Sequence, residues 1–185
     1  MNKINFLSII KLHFQTLVDQ KGKWIYSDII FHLIMPIVVG LLICIFDGTM
    51  TTQIAAIFVN FGAITTALLM SAVVMIYGQK QKVKEKIKES KNNEKNSDKN
   101  EDLIILEMDN ILYRQLCHNI SYAILGSALI VLLSVAISFF TTNIEIMSYK
   151  LFFLYILSFF CYAIFISTII TFFMIIKRFS AVIDD

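Results

Sequence analysis

The residues with the richest chemistry are Asp28, His32 and Pro36, spaced four apart in SDIIFHLIMPIVVG (residues 27–40). Four residues is roughly one helical turn, so all three fall near one helix face. A carboxylate one turn from an imidazole can hold that imidazole's titration near neutrality. The same pair would serve as half of a metal site. A proton relay needs ionisable groups that continue into the apolar run, and none follows His32 there. A metal needs more ligands, and His13 and His118 are the only other histidines, both near the same predicted boundary. A capped, kinked helix entry asks for less. Ser27 or Asp28 caps the helix, His32 hydrogen-bonds at the interface, and Pro36 bends the span as a hinge.

No other constellation competes. Cys44, Cys117 and Cys161 lie in or beside apolar segments without CxxC spacing, which predicts packing residues rather than a disulfide framework or zinc site. GxSxG, HExxH, P-loop and Gly-rich phosphate motifs are missing. The expectation is a non-enzymatic chain with no catalytic residues, no metal and no cofactor.

The elements that position these residues are membrane helices. The chain is 57% hydrophobic and 16% charged, with sixteen Phe and one Pro; its mean hydropathy is +0.72. Soluble domains carry about 25% charged residues. Charge-free apolar runs cover 29–46, 53–77, about 119–142 and 151–176. A helix needs about 20 such residues to cross roughly 30 Å of hydrocarbon. No strand-like alternation appears, and helices satisfy their own backbone polar groups in lipid. The predicted fold is therefore an all-α membrane protein, a bundle of four transmembrane helices. Its segments are an interfacial helix at 1–20, a first hairpin at 24–77, a charged loop and helix at 78–118, a second hairpin at 119–178 and a tail at 179–185.

Charge sets the expected orientation. Of the sixteen Lys and Arg, fifteen precede the first span, separate the second from the third or follow the fourth; only Lys150 lies in the other connections. By the positive-inside bias, both termini and the long middle segment are cytoplasmic. The N-terminal stretch has no signal-peptide character, so insertion rests on the first span. Trp24, Tyr26, Tyr77, Tyr122 and Tyr149 fall near predicted boundaries, where their rings suit the headgroup layer.

Outside the spans, Ile4, Leu7, Ile10, Phe14 and Leu17 recur at helical spacing among Lys3, Asn5, Lys11 and Gln15. This predicts an amphipathic helix on the membrane surface, or one packed on protein. KQKVKEKIKES continues the second helix as a solvated extension, and KNNEKNSDKNED (91–102) has no apolar residue and is expected to be disordered. Acids nearly balance the lysines and no aromatic interleaves, so direct nucleic-acid binding is not expected. Leu103, Leu106, Glu107, Asp109 and Arg114 form the candidate docking surface for a cytosolic protein; packing on the chain's own helices is the alternative.

Within the spans, Asn60, Ala63 and Ala67 of the second helix and Ser134 and Ser138 of the third make a seam of small and polar residues. Such residues let helices approach and bond across the contact. The seam serves either intramolecular packing or a homo-oligomer interface lining a pore. No TVGYG-like filter or charged ring marks a selective channel.

DQKGKWIYSDIIFHLIMPIVVG, HNISYAILGSALIVLL and FFMIIKRFSAVIDD together resemble bacterial four-helix membrane proteins. These include membrane subunits of anti-phage defence systems, of the Kiwa type or the four-helix effectors of cyclic-nucleotide systems. The resemblance implies an inner-membrane component that works with a cytosolic partner and perturbs or rearranges the membrane; it supplies no site residues. A passive anchor or scaffold, and a small transporter or immunity protein, are the other readings.

Overall fold

A computed structural model of the chain describes residues 6–17, 29–92, 99–142 and 148–183. Helix α1 spans Phe6–Gln15, and a single π-helical turn at Ile30–Ile34 runs into α2 at Met35–Asp47. Three long helices follow: α3 (Thr52–Asn92), α4 (Lys99–Thr142) and α5 (Ser148–Ile183). Four helices are long and apolar enough to cross a membrane. The described residues are thus all-α, in keeping with a four-helix transmembrane bundle.

The core repeats every seven residues. On α4, Leu116, Ile120, Ala123, Ser127, Ile130, Ser134 and Ile137 are all buried, at alternating steps of four and three. On α3 the buried set is Ala55, Phe58, Gly62, Thr65, Leu69 and Ile76, in the same register. That period keeps one seam facing its partner and favours shallow left-handed crossings. The helix order follows: α3 packs on α4, α4 on α5, and α5 on α2. Phe58 of α3 stacks on Phe165 of α5 at a ring separation of 4.2 Å, and Phe61 meets the same ring edge-on at 4.9 Å. Although only residues 48–51 join α2 to α3, the close neighbour of α2 is α5. Gly48, at φ +77°, ends α2 by returning its N–H to the Cys44 carbonyl.

Small residues permit this packing. A Cβ on Gly62 would lie 2.8 Å from the Ser127 carbonyl oxygen, which belongs to the α4 backbone and cannot swing aside. Gly40 likewise lets α2 approach Ala163 of α5, where a Cβ would meet the backbone nitrogen at 3.2 Å. The outer surface carries Phe31, Leu41, Phe46, Ile64, Leu132 and Phe152, all exposed, as a lipid-facing surface should.

Pro36 follows a defined helical defect. Its ring cannot donate to, and clashes with, the carbonyl one turn back. The chain widens to a π turn, closed by the Met35 N–H on the Ile30 carbonyl. His32, Pro36 and Gly40 then line the buried face of α2 at steps of four. Ser27 and Asp28, the expected cap, lie outside the described residues, as do Trp24 and Tyr26.

One expectation is corrected. The segment 91–102 is helical at both ends, since α3 runs to Asn92 and α4 starts at Lys99; residues 93–98 lie outside the described set. Tyr122 stacks face to face on His13, with ring centroids 3.9 Å apart.

Gly62→Leu is expected to lower stability by roughly 1–3 kcal/mol, the usual cost of overpacking a tight contact. Gly78, whose Cβ position is open, is the control. Thermal melts in detergent check this: a loss at Gly62 with none at Gly78→Leu is the expected pattern.

Candidate functional site

One end of the bundle gathers polar side chains from four elements. α1 contributes His13 and Thr16, the π turn His32, α4 Asn119 and Tyr122, and α5 Ser167 and Arg178. His13 and Asn119 have no exposed surface, and Thr16, His32 and Ser167 are also buried.

Asn119 is the hub. Its Oδ1 accepts from His13 Nδ1 at 2.9 Å and lies 2.8 Å from the Thr16 hydroxyl. That hydroxyl is equally close to the His13 carbonyl and has one proton to share between the two acceptors. Arg178 Nη2 donates to the Thr16 carbonyl at 2.9 Å. This places a cation on the carbonyl end of α1, where the helix dipole favours positive charge. Tyr122, stacked on the imidazole, shares a hydrogen bond with Ser167 at 3.0 Å.

The Asn119 bond fixes the His13 tautomer. With Nδ1 carrying the proton, Nε2 presents a lone pair. His13 Nε2 and Asn119 Nδ2 are buried without a hydrogen-bond partner among the described residues. Burial pushes the His13 pKa down to about 4, and the positive fields of His32 and Arg178 act in the same direction against the Asn119 bond. The arrangement is a neutral clasp that holds α1 to the bundle.

α1 is therefore packed on protein along His13, Thr16 and Leu17, while Phe6 and Leu7 face outward. Of the two alternatives for this helix, the protein-packed one describes that inner face.

The histidine set is only half assembled. His13 and His32 lie with ring centroids 5.7 Å apart. His118, next to Asn119 in sequence, instead has Lys80 and Arg114 as its charged neighbours. No group of three or more His, Cys, Asp or Glu suited to a metal occurs among the described residues.

The other predicted sites divide. Ser134 is buried and lies 3.4 Å from Cys161 Sγ; Ser138 is half-buried. Asn60, Ala63 and Ala67 turn outward from the bundle, so α3 packs on α4 through a different face. Leu103, Leu106 and Asp109 are half-buried, and Glu107 pairs with Lys91 at 2.8 Å across α3 and α4. Arg114 is exposed. The exposed apolar stripe there consists of Ile104, Ile105, Met108 and Ile111. Neither a protein-family model, a curated protein nor a solved structure matches the chain.

Sequence reading missed the clasp because His13 looked like a boundary polar residue. One signal was present: His13 lies three residues after Ile10 and four before Leu17, on the packed stripe of α1.

Asn119→Leu removes the acceptor shared by His13 and Thr16. The docking of α1 is expected to weaken by about 2 kcal/mol, roughly a 30-fold rise in amide exchange. Hydrogen–deuterium exchange over residues 6–17 measures it, and unchanged exchange would contradict the clasp.

Proposed function

We propose that this chain is a non-enzymatic, multi-pass subunit of a bacterial cytoplasmic membrane that couples a cytosolic protein partner to rearrangement of its bundle. The proposal places it among the membrane components of anti-phage defence systems, the class its sequence resembles. Both termini and the α3–α4 extension lie in the cytoplasm on this reading. Fifteen of the sixteen Lys and Arg support that orientation.

The observation that carries the reading is the length of α3 and α4. They have 41 and 44 residues. At about 1.5 Å per residue each is about 60 Å long, twice the roughly 30 Å hydrocarbon thickness. The excess forms a paired stalk, closed by the exposed Lys91–Glu107 ion pair. Ile104, Ile105, Met108 and Ile111 share this stalk and are exposed. An apolar stripe beside a solvated ion pair is suited to a protein partner.

A second surface fits self-association. Asn60 lies on the outer face of α3 within a span, flanked by Ala63 and Ala67. An amide in hydrocarbon gains most by meeting protein. Because it both donates and accepts, it can pair with its own copy.

Reporters active only in the periplasm, fused at the N-terminus, residue 95 and the C-terminus, test the orientation; all three should stay silent, and a signal from any one overturns it. Proteoliposomes test membrane perturbation: with partner supplied, loss of an imposed potential is expected, and an intact potential favours a passive anchor. Asn60→Leu should lower self-association at least tenfold by energy transfer between labelled copies in bilayers, and wild-type transfer would remove Asn60 from the interface.

A further inference from the structure

We propose that protonation of His13 releases α1 from the bundle, so that the N-terminal helix is a proton-controlled latch over the junction of α4 and α5. The latch does not depend on the function proposed above.

The geometry admits only the neutral ring. His13 has no exposed surface. Its Nδ1–H is already committed to Asn119 Oδ1 at 2.9 Å. A second proton would go to Nε2, which is buried and has no acceptor among the described residues. The resulting imidazolium would lie against the face of Tyr122, 5.7 Å from the His32 ring. Arg178 is held beside it by the Thr16 carbonyl. Among the described residues, each element packed around His13 contributes as follows. α4 supplies the uncharged Asn119 and Tyr122, the π turn supplies His32, α5 supplies Arg178, and Lys11 of α1 is exposed. Among the described residues, no carboxylate is among the groups that act on His13.

The sign follows from linkage. Docked His13 titrates at about 4, whereas an undocked imidazole titrates at about 6.5. The undocked state therefore binds more protons between those values, and docking weakens as pH falls through that window. The docking equilibrium drops by up to about tenfold per pH unit, to a total of about 150-fold by pH 4. Release uncovers Asn119, Tyr122 and Arg178 at the end of the bundle and frees the His13–Leu17 face of α1.

Electron–electron distance measurements test this on the full chain in lipid nanodiscs. Spin labels at Lys11→Cys and Lys177→Cys, with the native cysteines replaced by Ala, report the separation of α1 from α5. One narrow distance is expected at neutral pH. Below about pH 6 a longer population should grow, reversibly and without loss of helicity. A narrow distance unchanged to about pH 4.5 overturns the latch. His13→Gln keeps a donor but cannot gain the charge, and should hold the narrow distance throughout; a pH-dependent release that survives in it overturns the assignment to His13. Should the variant undock at every pH, nitrogen-15 spectra of histidine-labelled wild type decide. One histidine should remain the neutral Nδ1–H tautomer at about pH 5.5, and three charged histidines with α1 still docked would overturn the proposal.

Discussion

Hydrocarbon offers no hydrogen bonds, so a polar side chain inside a bilayer must find its partner in protein or in its own helix. That constraint orders the polar residues of this chain. Thr168 and Thr171 return their hydroxyls to carbonyls one turn back on α5. Ser158 accepts the Met50 N–H at 3.0 Å, closing the turn between α2 and α3. Asn119, whose amide cannot satisfy itself that way, recruits a whole helix: α1 docks because Asn119 needs donors and His13 and Thr16 supply them. The outward-facing Asn60 is one departure from the rule, and that departure is the reason it is proposed to lie in an interface.

The seven-residue repeat converts the same constraint into architecture. Lipid supplies little net drive for apolar helices to associate, so close backbone approach and interhelical bonds must supply it. Gly62 and Gly126 provide the approach; a Cβ on Gly126 would run into the Thr168 side chain. Beyond the apolar region α3 and α4 stay paired, with the Lys91–Glu107 ion pair between them. The end of the stalk is thereby continuous with the seam between α3 and α4.

The four spans were legible because length and lack of charge suffice to define a membrane helix. The Pro36 distortion was legible because proline chemistry is local. Which face of α3 packs inward was not. Residues 55, 58, 62 and 65 and residues 56, 60, 63 and 67 follow the same three–four spacing. In lipid both faces are apolar, so periodicity cannot choose between them; Gly62 against the Ser127 backbone does. Periodicity likewise does not separate Leu103 and Leu106, which are half-buried, from Ile104 and Ile105, which are exposed one step around α4. The clasp was illegible because His13 and Asn119 are 106 residues apart.

The central claim is that Asn119 accepts from neutral His13 and thereby seats α1 on the bundle. Dipolar recoupling between the His13 Nδ1 nitrogen and the Asn119 side-chain carbonyl carbon, in bilayers at neutral pH, reads that contact directly. Strong dephasing confined to one protonated Nδ1 signal is the result the account requires. A chain in which no histidine nitrogen senses that carbon would leave α1 without its seat and the account without its foundation.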